Sequence, residues 1–139
     1  MNGKLTLCEY IRVHDMGTRY DAEGAGIFME TLQQFPETIA CNLLTALTLS
    51  DEEKKNVYPF EIRITDTENI SVGDVYKGTI NTAKAHSLAT TIYASSRIRV
   101  TVTKETLLSW ALYVNGVLLD VVKLEIRKSN STATKIIDA

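Results

Sequence analysis

Acidic residues gather in two polar stretches of the chain. Asp51, Glu52 and Glu53 stand in one; Asp66, Glu68 and Asp74 stand in the next. Calcium takes about six to eight oxygen ligands, several of them carboxylates, so loops of this kind are where a calcium site would be sought. The weak candidates are Asp51, Glu53, Asp66, Glu68 and Asp74, on the condition that both loops meet at one end of the fold. Lys54 and Lys55 follow the first group directly and partly neutralise it. Neither stretch has the spaced Asp-x-Asp-x-Asp-Gly pattern of a dedicated calcium loop. The expectation is therefore solvated acidic loops and no metal.

Other constellations are thinner. His14, Asp15, Asp21 and Glu23 surround the first turn, but one histidine is a narrow basis for a transition-metal site. A hydrated turn is the simpler reading. His86 and Ser87 are adjacent, and neighbours on an extended chain point to opposite faces, so they do not form a nucleophile and base. No Gly-x-Ser-x-Gly elbow is present, and Cys8 would meet His14 or His86 only by accident of folding. Cys8 and Cys41 read as small buried apolar residues. Gly24-Ala25-Gly26 lacks the third glycine and following helix of a dinucleotide loop. No catalytic residue and no cofactor are expected, and the chain is read as not an enzyme.

The tyrosines offer a different kind of site. Tyr10 and Tyr113 fall opposite the apolar positions of their strands. Tyr113 shares its face with Ala111 and, across a hairpin, with Leu118. Aromatic residues on an open sheet face build partner or sugar surfaces. Tyr113, Leu118, Ala111 and Tyr10 are therefore the candidate interface.

These residues must be positioned by strands. Leu5, Leu7, Ile11 and Val13 alternate with polar neighbours and predict one strand, with Glu9 the odd member on its apolar side. Tyr20 to Thr31 reads as extended, loosened by Gly24 and Gly26. After the break at Phe35-Pro36, the positions Ile39, Cys41, Leu43, Thr45, Leu47 and Leu49 share one parity. Phe60, Ile62 and Ile64 predict another half-buried strand, as do Ile98, Val100 and Val102. Between them, 75–94 is read as extended on its Thr-rich composition, with Tyr76, Ile80, Leu88 and Ile92 as its apolar points.

Asn115-Gly116 between two apolar segments predicts a two-residue type I′ hairpin turn. That turn places Val114 opposite Val117, Leu112 opposite Leu119 and Trp110 opposite Val121. Leu124 and Ile126 then have the wrong parity for the same face, which predicts a β-bulge near Val121–Val122. Apolar residues on both faces of this hairpin require cover on both sides, and a second protomer is one source of it. The segment 129–139 is polar and reads as a mobile tail.

At 139 residues, 45% hydrophobic, the chain suits a single domain over 1–128 with its own core. Threonine, isoleucine and valine are frequent, and branching at Cβ favours strands. A net charge of −2 without a basic cluster argues against nucleic acid. No stretch approaches the roughly 20 apolar residues of a membrane helix. The opening residues do not form a signal peptide, so a cytoplasmic setting with reduced thiols is expected. Turn signals at short intervals predict about seven or eight strands in an all-β, antiparallel two-sheet sandwich, with a closed barrel as the runner-up.

The opening Leu5-Thr-Leu-Cys-Glu-Tyr-Ile-Arg-Val13, the return Gly24-Ala-Gly-Ile-Phe28 and the closing Leu112-Tyr-Val-Asn-Gly-Val-Leu-Leu119 resemble a family of small bacterial proteins. That family is a domain of unknown function with a Cys-acidic first strand and an aromatic closing hairpin. The resemblance implies an immunoglobulin-like or C2-like sandwich and a bacterial or phage source, and it implies no catalytic residues. The function expected is a non-enzymatic interaction or scaffold module whose partner is another protein or its own copy. The alternative is a sandwich that binds a small ligand, a glycan or calcium.

Overall fold

In the segment from Glu37 to Thr48 every second side chain is apolar or a buried threonine, and strand geometry sends those side chains to one face. Ile39, Cys41, Leu43, Thr45 and Leu47 are all buried there. The same rule organises the rest of the chain in the computed structural model, which describes residues 1–83 and 90–129. The described strands are β1 (Asn2–Cys8), β2 (Tyr10–His14), β3 (Arg19–Glu23), β4 (Met29–Leu32), β5 (Glu37–Thr48), β6 (Val57–Thr65), β7 (Tyr76–Asn81), β8 (Thr91–Val102), β9 (Thr106–Val114) and β10 (Val117–Lys128). A short 3₁₀ turn at Asp15–Gly17 joins β2 to β3.

The strands form an all-β, sandwich-like fold. A small sheet has the order β1-β5-β8, a large sheet β4-β10-β9-β6-β7, and β2 and β3 pair by themselves. Pairing is antiparallel except between β4 and β10. Leu5, Leu7, Leu43, Leu47 and Val100 from the small sheet share one core with Ile62, Leu108, Trp110, Leu112, Leu124 and Ile126 from the large sheet. Each fully buried aliphatic side chain contributes about 2 kcal/mol by transfer from water. The two main sheets keep separate edges, so the barrel alternative does not hold.

Four sequence expectations are corrected. The strand expected from Leu5 through Val13 breaks at Glu9. There the backbone leaves β5: Glu9 N–H donates to Glu23 O at 3.0 Å, and Asn42 Nδ2 donates to Glu9 O at 2.8 Å. A carboxylate on the apolar side cannot continue into the core, and the bend takes it out. Ile11 and Val13 therefore belong to β2 and are only half-buried. The second extended segment also divides, at Gly24 and Gly26, whose φ angles of +58° and +83° suit glycine. These two divisions help raise the described strands above the expected number, to ten.

The third correction concerns the closing hairpin. Asn115 and Gly116 turn it with φ of +51° and +76°, as a type I′ turn requires. Val117 faces Val114 and Leu118 faces Tyr113, but Asp120 then faces Leu112, Val121 faces Ala111 and Val122 faces Trp110. The bulge lies at Leu119, earlier than Val121–Val122, where pairing is regular. It turns Leu119 and Asp120 both inward and leaves Val121 at 42% exposure. Asp120 Oδ2 accepts the Leu5 N–H at 2.8 Å, binding the free edge of β1 to β10. Leu119 packs so closely on Gly3 that a Cβ there would lie 2.8 Å from its Cδ1. The bulge is placed where the two sheets must be joined.

The fourth correction is that Val117, expected on the core face, is 59% exposed at the hairpin end. Of the extended reading of 75–94, β7 and the start of β8 are observed, with Ile80 and Ile92 buried. Leu88 and the His86-Ser87 pair lie outside the described residues, as does the tail expected over 129–139 beyond Ser129. The β2–β3 hairpin packs on the outer side of the small sheet. Tyr20 meets Tyr93 with ring centroids 4.6 Å apart, and Leu44 on that outer side is only 5% exposed.

Candidate interaction surface

The outer face of the large sheet carries the residues singled out around the closing hairpin. Alternation along β9 turns Leu108, Trp110, Leu112 and Val114 inward, so Ala111 and Tyr113 face out. The register sets Leu118 directly opposite Tyr113 and Val121 opposite Ala111. Leu118 is 50% exposed. Tyr113, Ala111, Leu118 and Val121 thus form one connected apolar strip.

A charged residue on β6 stiffens that strip. The Arg63 guanidinium lies 4.2 Å from the centre of the Tyr113 ring, within cation–π range. Glu61, two residues earlier on the same face, accepts from Arg63 Nη2 at 2.8 Å and from Nε at 3.1 Å. The pair holds one face of the Tyr113 ring in place. Arg63 and Glu61 share a parity opposite to Phe60, Ile62 and Ile64, which was the only signal available in the sequence. Their meeting with Tyr113 depends on the β6–β9 register, which sets Glu61 opposite Tyr113.

Tyr10 is not brought to this strip. It is 50% exposed at the start of β2, in the separate hairpin. The grouping of Tyr10 with Tyr113 is corrected: the break at Glu9 moves Tyr10 out of the sheet that its parity assumed.

The acidic loops do not converge either. One lies before β6 and the other after it, so the nine residues of that strand separate them by roughly 30 Å. Their carboxylates serve local structure. Asp51 pairs with Lys54 at 3.0 Å, and Glu53 accepts the Ser50 N–H at 2.9 Å. Asp66 Oδ1 accepts the N–H groups of Glu68 and Ile70 at 2.9 and 3.0 Å. Glu68 reaches Lys104 at 4.0 Å. Among the described residues no hydrogen bond or ion pair holds the Asp74 side chain. Among the described residues no three His, Cys, Asp or Glu side chains converge on a metal position. At the first turn, His14 Nε2 and Asp21 Oδ2 are 2.7 Å apart, and Arg19 reaches Asp15 at 3.4 Å.

Both cysteines are free and buried. Burial pushes the Cys8 thiol upward, and burial with the nearby Glu30 carboxylate pushes Cys41 up to about 11. Each is a protonated, apolar-packed thiol at neutral pH, poorly suited to nucleophilic chemistry. Both line a cavity of about 230 Å³ at the end of β1, together with Leu7, Glu9, Ile27, Glu30 and Leu124. No residue pattern signals this cavity, because it lies where β1 ends before covering the whole of β5.

No family model matches this chain, and no curated protein does. Among solved structures it is similar to a part of a glycosyl hydrolase family 2 member from Bacteroides cellulosilyticus DSM 14838, at 11% identity and a TM-score of 0.45. That likeness covers 69% of this chain and 13% of the other. A second structure of a family 2 member from Bacteroides cellulosilyticus matches at 10% identity and a TM-score of 0.47, over 69% of this chain and 12% of that one. This chain therefore spans about an eighth of the length of those chains, and no residue role is taken from them.

Proposed function

We propose that this protein is a non-enzymatic interaction or scaffold module of the cytoplasm, which docks another protein or a second copy of itself through the outer face of the large sheet. The observation that carries this reading is the connected strip Tyr113, Ala111, Leu118 and Val121, open to solvent beside a fixed Arg63–Glu61 pair. Apolar strips rimmed by charge mark contact surfaces, and tyrosine and arginine are favoured in their energetic centres. The protonated thiols and dispersed carboxylates support a binding role over a catalytic one. Free, buried cysteines suit a reducing compartment. No described helix is long and apolar enough to cross a membrane.

The test compares wild type with Leu118→Asp in light scattering over a concentration series and in affinity capture from the native cell. Leu118→Asp should lower the mass-average association state or remove captured proteins, while Glu52→Gln leaves both unchanged. A strict monomer whose captured proteins are the same with and without Leu118→Asp would overturn the proposal.

A further inference from the structure

The small sheet has a gap along one edge. β8 pairs with β5 over the whole of Glu37–Thr48, whereas β1 covers only Asn42–Thr48. On the β1 side, no described strand lies beside the edge of β5 from Glu37 to Cys41. Antiparallel ladders alternate, so successive residues turn their N–H and C=O to opposite neighbours. The phase is fixed by β1. Leu5 N–H leaves the ladder for Asp120, and Leu7 O accepts from Gly26 and Ile27 outside it. Cys8, Thr6 and Lys4 are then the residues bonded to Asn42, Leu44 and Ala46. Continuing that phase along β5, Thr38 and Ala40 aim their N–H and C=O groups into the gap. Among the described residues, no backbone hydrogen bond reaches them from that side.

The gap opens onto the cavity at the end of β1. Ala40 is part of its wall, and Leu7, Ile27, Cys41 and Leu124 give it an apolar lining. Glu9 and Glu30 stand in the same wall. Glu30 lies opposite Ile126 in the β4–β10 register, so it faces inward with that core residue. Neither carboxylate has an ion-pair partner among the described residues, although other acidic side chains of this chain do. An inward carboxylate without a counter-ion, beside an apolar channel, is complementary to a side chain with an aliphatic stem and a cationic head.

We propose that the edge of β5 at Thr38 and Ala40 takes an extended segment of a partner protein as an added strand, with a lysine or arginine of that segment pointing inward to Glu30 and Glu9. Backbone pairing supplies affinity, and the pocket for the inward side chain supplies selectivity. The inference rests on the reading of this chain as an interaction module, but it uses a different surface from the Tyr113 strip.

The probe is the peptide acetyl-Thr-Val-Lys-Val-Thr-amide at millimolar concentration, added to the full-length ¹⁵N-labelled chain. The amides of Thr38 and Ala40 should shift and exchange more slowly with solvent. The same peptide with glutamate in place of lysine should bind at least about tenfold more weakly. Glu30→Gln should weaken the lysine peptide by a similar factor with no change in melting temperature. Ala40→Pro removes the N–H aimed into the gap and should abolish binding; if it disturbs folding, a peptide N-methylated at its central residues replaces it. Unmoved Thr38 and Ala40 amides, or equal binding of both peptides, would overturn the proposal. Shifts seen with the chain alone on raising its concentration would make the occupant a second copy and overturn the partner assignment. Leu118→Asp should leave the peptide result unchanged, so the two proposals fail separately.

Discussion

Cys41 shows how one side chain can be read in both its chemistry and its packing. Its alternation within β5 placed it in the core, and it is 8% exposed there. Burial and Glu30 raise its thiol to about 11, above the ordinary value of 9.0. The unfolded chain releases this proton first, so the folded state loses stability as pH rises from about 9 towards 11. Below that window the contribution is constant. Native protein at pH 8 should react with a thiol reagent such as dithionitrobenzoate many-fold more slowly than protein in denaturant. Equal rates in both conditions would show that Cys8 and Cys41 are accessible. Alkaline melting curves for wild type and Cys41→Ser provide the second measurement, with the wild type losing more stability across that window.

At the scale of elements, the joint between β1 and β10 makes the sharpest prediction. Asp120→Ala removes the acceptor of the Leu5 N–H and should cost about 1–3 kcal/mol in urea unfolding. Asp120→Asn keeps a side-chain acceptor and should cost less. Asp74→Ala, at an exposed loop carboxylate with no ion pair or hydrogen bond among the described residues, should stay within roughly 0.5 kcal/mol of wild type. Equal costs for Asp120→Ala and Asp74→Ala would mean that the joint contributes nothing.

This joint also marks how far the sequence could be read. The parity clash between Leu119 and Leu124 required a bulge, because side-chain period is a local property. Its position was not local. It follows from Gly3 and Leu5, more than a hundred residues away in the chain. The strip shows the same division. Tyr113, Leu118 and Ala111 were legible because a two-residue turn fixes the near register. Val121 joined them only because the bulge came early, and Arg63 only through the β6–β9 pairing. Tyr10 was misplaced because parity carries no information about a bend such as that at Glu9. The gap beside Thr38 depends on where β1 ends, which a residue pattern does not encode.

For the whole molecule, the division into sheets predicts a division in stability. The β2–β3 hairpin forms its own sheet, has half-buried or exposed residues, and meets the small sheet at contacts that include the Tyr20–Tyr93 ring pair. An isolated two-stranded hairpin is marginal in water. Its amides should therefore exchange by local opening, at a free energy below that of β5, β8 and β9, whose exchange should approach the global value. Native-state hydrogen exchange measures this directly. Equal protection in β2, β3 and β9 would show the molecule opening as one unit.

The parallel pairing of β4 with β10 has a further consequence, for the order in which the chain can fold as it is made. β4 comprises residues 29–32, and its partner residues are 125–128. Leu5 likewise waits for Asp120, 115 positions later. A growing chain can assemble β5 with β1, and later with β8, but that small sheet then presents a bare apolar face. β6, β7 and β9 can cover part of that face earlier, but the contribution of Leu124 and Ile126 and the pairing of β4 wait for β10. Contacts of such long range slow folding and lengthen exposure to aggregation. The dozen residues of β10 thus act as a closing step, and a chain stopped before Val117 would lack Leu124 and Ile126 from its core and leave β4 and the Leu5 N–H without their partners.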